Sequence, residues 1–248
     1  MKKYLLSLLI VLFSLELVNA QQYVATAPTK KNVIIEEYTG NYCTYCPDGH
    51  RIANEIAANN PGRVFPLNIH AGGYAATSYP NMTTPAGNEF NNSFGIYSYP
   101  TGVVNRATGP IGRNLWEEKS INQMQQTAIV NIAGDYTINT ASRTAQITVE
   151  IYYTGNSNTS TNYLNIFMLQ DNIIGYQAGS NLNPTQIVDG QYCHNHVFRS
   201  TITPTWGEAI TPSTGTLITK TYTYTIPETI GDPNGVAVDL DNIYFVAF

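Results

Sequence analysis

The stretch VIIEEYTGNYCTYCPDGHRIANEIAANNPG, residues 33–62, decides the fold class. Val33, Ile34 and Ile35 begin a β-branched apolar run suited to a buried strand. Asp48 to Asn59 then sets Ile52, Ile56 and Ala57 on one side of a helix, which Pro61-Gly62 ends. Cys43-Thr44-Tyr45-Cys46 lies at the junction. A thiol at or just before a helix N-terminus meets unpaired N–H groups and a positive dipole end, which favour the thiolate. Cys46, one turn on, is oriented to attack a mixed disulfide formed at Cys43. Pro47 is tolerated there because a first-turn N–H has no helical partner.

Working outward, Val64 to Ile69 reads as a second strand, Thr84-Pro85 as a helix start, and Thr101 to Asn105 as a third strand. Asn114 to Gln126 reads as an amphipathic helix with Trp116, Ile121 and Met124 near one face. Alternating strands and helices imply a layered α/β sheet. After Thr127 helical periodicity disappears. Ala145–Tyr153, Asn162–Gln170, Tyr192–Ser200, Thr216–Ile226 and Asn242–Phe248 are strand candidates between polar turns, the pattern of an all-β antiparallel sandwich. At the other end, Lys2 and Lys3 precede an apolar run, Tyr4 to Leu15, and Val18-Asn19-Ala20 offers small residues for cleavage before Gln21. The run is too short to span a bilayer and is followed by Glu16, and no later segment is long and apolar enough, so no transmembrane span is expected. The expected organisation is a signal peptide at 1–20, an α/β domain at 21–128 and a β-sandwich at 129–248.

Only 12% of the 248 residues are charged, the net charge is −5 and the body has no basic run, which excludes nucleic acid as a default partner. A zinc site at Cys43 and Cys46 would need two further ligands. The one other cysteine, Cys193, is in the distant half, so no metal is expected. A purely structural disulfide stays open as an alternative, favoured by an oxidising compartment and disfavoured by the small stabilisation that so short a ring supplies. His50 follows Cys46 by four positions and reads as a partly exposed helix histidine rather than a thiolate partner. His70 ends a strand. His194 and His196, two apart on one strand, would face the same side, with Cys193 on the other as a buried free thiol.

The run VIIEEYTGNYCTYC (33–46) resembles a thioredoxin-like active-site strand and loop, and GIYSYPT (95–101) resembles the segment bearing that family's cis-proline. With LQDNIIGYQ (169–177), YCHNHVFR (192–199) and TWGEAI (205–210), the chain resembles the outer-membrane-protein-28-related family, in which a thioredoxin-like domain precedes a β-sandwich. The resemblance implies that Pro100 is cis and faces the cysteines, that the backbone of Tyr99 pairs with substrate, and that Tyr42 takes the place of the tryptophan before the first cysteine. It also implies that Glu37 is a buried acid helping to deprotonate Cys46, with Pro66 where its lysine partner would stand. His70 to Met82 looks like an insertion. The closing run Asp241 to Phe248 stops inside an apolar strand, and a further strand or sorting module is expected beyond it.

Two functional readings result. In the first, an exported protein of a Gram-negative envelope (periplasmic, outer-membrane-associated or secreted) exchanges disulfides with a protein or peptide thiol, alongside a redox partner protein and with no cofactor. Its catalytic residues are Cys43, Cys46, Pro100 and Glu37, and Tyr42 and Tyr99 contact substrate. The second is a non-catalytic surface binding protein whose disulfide is structural. The Thr44-Tyr45 dipeptide does not give the redox direction.

Overall fold

The computed structural model describes residues 23–75 and 79–248. The proposed signal peptide lies outside them, and among the described residues no helix is long and apolar enough to cross a membrane.

The first part runs β1 (Val33–Thr39), α1 (Cys46–Asn59), β2 (Val64–His70), α2 (Pro85–Ser93), β3 (Thr101–Val104), β4 (Ile111–Gly112) and α3 (Trp116–Met124). All seven residues of β1 are buried, because it is a central strand covered on both faces. Strand alternation divides its side chains. Val33 and Ile35 enter a core with Ala53, Ile56, Val64, Val104 and Trp116, whereas Ile34 and Tyr38 join Leu67, Ile69, Phe90 and Val103 on the opposite face. Thr84 caps α2 by accepting the Gly87 N–H at 2.9 Å, with Pro85 in the first turn. In α3, Trp116 and Ser120 turn inward and Ile121 is 40% exposed. This corrects the expectation for Ile121: Trp116 and Ser120, four apart, share the inward face of α3, and a residue five positions after Trp116 is carried away from that face at about 100° per residue.

The second part is all strand and turn: β5 (Val130–Asn139), β6 (Thr144–Tyr153), β7 (Asn162–Leu164), β8 (Ile166–Gln170), β9 (Ile173–Gly175), β10 (Ile187–Val188), β11 (Gln191–His194), β12 (Val197–Thr201), β13 (Glu208–Ile210), β14 (Leu217–Thr225), β15 (Thr229–Ile230), β16 (Val236–Ala237) and β17 (Ile243–Ala247). The run expected as one strand from Tyr192 to Ser200 breaks into β11 and β12 at Asn195-His196, where His196 adopts a φ of 55°.

One seven-stranded sheet, ordered β17-β8-β12-β2-β1-β3-β4, takes strands from both sides of residue 128. β2 is parallel to β1 and to β12, meeting the latter at Asn68 and Val197. A three-stranded antiparallel sheet, β14-β6-β5, lies over the far end of the large one. Ala145, Ile147, Val149 and Ile151 of β6 pack there with Ile166 and Met168 of β8. From β8's other face, Phe167 and Leu169 reach the core under α2. The protein is therefore a mixed α/β region joined to several antiparallel sheets.

Candidate active site

β1 ends at Thr39 and the chain turns through Gly40–Tyr45 before α1 starts at Cys46. The Cys43 N–H donates to the Gly40 carbonyl at 3.0 Å, and the Cys46 N–H to the Cys43 carbonyl at 3.3 Å. Cys43 and Cys46 form a disulfide that is almost wholly covered, at 3% and 0% exposure. Asp48 in the first turn of α1 binds Arg51 at 2.7 Å and Arg113 at 2.6 Å.

Strand alternation puts Glu37 and Thr39 beneath α1. Glu37 is fully buried and neither of its oxygens has a hydrogen-bond partner. A Cβ on Gly49 would stand 2.4 Å from its Oε1 and 2.9 Å from the Pro100 ring, so glycine leaves room beside the helix for both the carboxyl and that proline. Burial pushes the Glu37 carboxyl well above the usual range, with Arg113 offsetting part and Asp48 adding to it. Pro66 is buried in β2 opposite Ile35. The Tyr99–Pro100 peptide bond is cis. The Tyr99 hydroxyl donates to Asn91 Oδ1 at 2.6 Å, and its ring lies 5.7 Å from that of Tyr74. Tyr42 is half exposed, its N–H donating to the Tyr74 carbonyl and its ring 5.4 Å from that of Tyr176.

His50 departs from the sequence reading. It is 2% exposed, with Nε2 2.9 Å from Thr39 Oγ1 and Nδ1 2.8 Å from the Tyr192 hydroxyl. Its cover comes from β11, which lies far along the chain. Burial drives its pKa down to about 3, with His194 and His196 contributing, so the ring is neutral. His194 and His196 do not share a face. The His194 ring is buried 5.5 Å from that of His70, whereas His196 Nδ1 is 2.6 Å from the Tyr244 hydroxyl, because the break after β11 turns it away. Among the described residues no three of His, Cys, Asp and Glu gather as metal ligands. Cys193 is a buried free thiol.

The residues that the sequence reading did not find come from the second part of the chain. Gln177 Nε2 donates to the carbonyls of Cys43 at 3.0 Å and Gly40 at 3.2 Å, and the Ala178 N–H donates to the Asn41 carbonyl at 2.8 Å. Gly179, at a φ of 67°, approaches the Thr44 carbonyl so closely that a Cβ would stand 2.0 Å from its oxygen. Residues 177–179 thus clamp the loop that carries the cysteines. Gln177 closes the LQDNIIGYQ run, and nothing local in that run signals its partner.

A family profile described as Outer membrane protein Omp28 matches residues 87–248. HBP35 of Porphyromonas gingivalis is similar in structure, with a TM-score of 0.68 at 17% identity, covering 90% of this chain and 70% of that one. A protein of Agrobacterium tumefaciens aligns with a TM-score of 0.50 at 10% identity, covering 89% of this chain and 96% of its own. No curated protein sequence matches. At these identities the two structures speak to the fold alone. The profile covers well over half of the chain: it belongs to the Omp28 family of outer membrane proteins, and its place is the cell envelope, in association with the outer membrane.

Proposed function

We propose that this chain is an envelope thiol–disulfide exchange protein built on a thioredoxin-like unit within residues 21–128, followed by a β-sandwich region at 129–248. Support for that unit comes from the parallel β1–β2 pair, the antiparallel β3 beside β1, and the disulfide at the start of the helix between β1 and β2. The observation that carries the activity is Glu37: an unpartnered carboxyl whose pKa burial raises, beside Gly49 in the first turns of the helix that begins with Cys46, where the cis-Pro100 ring also lies. A purely structural disulfide has no use for such a group, which costs stability to bury.

In this reading a substrate thiolate attacks Cys43 Sγ, the Cys43–Cys46 bond breaks, and Cys46 leaves as a thiolate that takes the Glu37 proton. The reverse step returns that proton and re-forms the bond. The substrate is a protein or peptide thiol, which Tyr42 and the backbone of Tyr99 contact, and a partner dithiol or disulfide resets the pair. The test is a Cys46→Ser variant expressed in the envelope. Adducts on Cys43 that a reductant releases are expected; their absence, together with wild-type protein inactive in insulin reduction, sinks the proposal.

The burial of both cysteines, in a loop whose backbone residues 177–179 hold, favours a second reading, a surface binding protein with a structural bridge. Slow reduction by dithiothreitol until the protein unfolds would support it.

A further inference from the structure

Four segments meet at the cysteine loop, and none carries a charge: residues 40–47, 71–75, 95–100 and 172–188 hold no Asp, Glu, Lys or Arg. What they present instead is tyrosine. The ring of Tyr42, next to Cys43, lies 5.4 Å from that of Tyr176, which precedes the Gln177 that binds the Cys43 carbonyl. The Tyr42 N–H donates to the Tyr74 carbonyl at 3.0 Å, and the Tyr74 ring is 5.7 Å from that of Tyr99, the residue before Pro100. Tyr42, Tyr74 and Tyr176 are each half exposed or more, as is Tyr45 between the cysteines. Arg113, 5.6 Å from the centroid of the Tyr45 ring, is already paired with Asp48 at 2.6 Å. Exposed tyrosines scattered singly are ordinary. Here the rings are linked to one another across the seam between the two parts of the chain, on both sides of the cysteine loop. A tyrosine offers a large, rigid contact area with only two torsions to immobilise, and its hydroxyl can stay hydrated or bond to a backbone.

We propose that Tyr42, Tyr74 and Tyr176 form a docking platform for an extended polypeptide whose cysteine is flanked by aromatic, apolar or proline residues, and that the platform rejects a cysteine flanked by carboxylates. The inference rests on the exchange reading and names the substrate class of that site. The occupant is a polypeptide because the partner of this disulfide must bring a thiol to Cys43, beside Tyr42; a glycan, the other class of chain that stacks on tyrosine, brings none. Attraction comes from ring and apolar contact with side chains already held in place. Rejection comes from desolvation: an Asp or Glu pressed onto these rings loses water, faces the negative side of the aromatic quadrupole and meets no free cation, since Arg113 is tied to Asp48. Once docked, the peptide thiolate attacks Cys43 Sγ. The Cys43–Cys46 bond breaks and a Cys43–peptide bond forms, so the peptide sulfur is oxidised and Cys46 leaves reduced, as a thiolate. Tyr74 follows β2 and Tyr176 follows β9. The selectivity is therefore supplied by segments outside the strand and helix that hold the cysteines.

The experiment mixes the oxidised protein with short peptides carrying one central cysteine, flanked by tyrosine and proline in one and by aspartate in the other. Each rate is divided by the same peptide's rate with a small aromatic disulfide, which removes the peptide's own thiol reactivity. The normalised rate is expected to be about tenfold higher for the aromatic peptide. That ratio should persist from about 20 mM to about 500 mM salt, where a preference due only to the net charge of −5 would fade. Equal rates, or a ratio that fades with salt, overturn the proposal. Tyr74→Ser and Tyr176→Ser should each cut the ratio to about threefold or less; a ratio unchanged in both overturns it. A second measurement, on the unaltered protein, does not depend on a variant folding: the same peptides with serine for cysteine are titrated in while the tyrosine ring signals are followed by NMR. Shifts at Tyr42, Tyr74 and Tyr176 with the aromatic peptide are expected. No shifts, or shifts only with a chitin hexamer offered instead, overturn the proposal. Wild-type protein that reacts with neither peptide nor with dithiothreitol refutes the exchange reading instead, and the serine peptides then still decide whether the platform binds a polypeptide.

Discussion

Arg106 grips Glu36 with two nitrogens, Nη2 at 2.7 Å from Oε1 and Nε at 2.9 Å from Oε2, and the rings of Phe90, Phe94, Phe167, Trp206 and Phe248 all lie within 6 Å of the guanidinium carbon. Two of those rings come from the α2 region and three from the strand-rich part, so one cation joins both. Removing one partner of a buried pair strands the other charge. Arg106→Ala is expected to cost about 3–5 kcal/mol in guanidinium unfolding, whereas Lys119→Ala, on an exposed helix face, should change stability by no more than about 0.5 kcal/mol. A loss under about 1 kcal/mol at Arg106 would mean that the aromatic rings hold the two parts together unaided.

The pH dependence of stability has two limbs. Glu37 has its folded pKa raised above the usual 4.5, so its contribution is complete below that value and is lost as pH rises towards the raised one. Glu37→Gln should flatten that limb, which carries at most about 1.4 kcal/mol per pH unit, and should be the more stable protein at neutral pH. His50, His194 and His70 are depressed from 6.5, the first two to about 3 and about 4. Their contribution is present above pH 6.5 and disappears as pH falls towards the folded values. Denaturant titrations from pH 4 to 8 should show both limbs, and His194→Phe should remove about one proton from the acid slope.

Gly179→Ala puts a Cβ into the Thr44 carbonyl at a φ that side chains avoid. It should cost roughly 1–3 kcal/mol and loosen the clamp on the cysteine loop. Reduction of Cys43–Cys46 by dithiothreitol should then be faster in folded protein; an unchanged rate would assign the cover to other residues.

Met168→Ala opens a cavity between β8 and the three-stranded sheet and should cost about 2–5 kcal/mol. Because β8 belongs to the shared sheet, the fluorescence of Trp116, deep in the α/β part, should change at the same lowered denaturant midpoint as far-ultraviolet circular dichroism. Two separated transitions would show that the parts unfold independently.

Local pattern carried the reading of β1 and α1, since the β-branched apolar run at Val33–Ile35 and the helical spacing of Ile52 and Ile56 are decided within a few residues. The cysteine pair was legible for the same reason. What escaped is long-range. His50 has the spacing of an exposed helix residue and is buried because Tyr192, 142 positions away, covers it. Gln177 touches Cys43 across 134 positions, with no periodicity to announce it. The paired reading of His194 and His196 assumed an unbroken strand, and a left-handed backbone at a non-glycine residue, His196, left no mark in composition.

The pairing of β2 with β12 has a consequence for the order of events as the chain is made. Asn68 reaches Asn195, 127 residues later, through its side chain, and its N–H donates to the carbonyl of His196. Until that segment has been synthesised, β2 presents an open strand edge, a template for pairing with any neighbouring chain. The cysteine loop waits on the same segment, because Gln177 and Tyr192 arrive with it. A nascent chain stalled between residues 128 and 190 would therefore hold its disulfide partners uncovered and its sheet unfinished, the state most in need of a chaperone and most open to the wrong thiol.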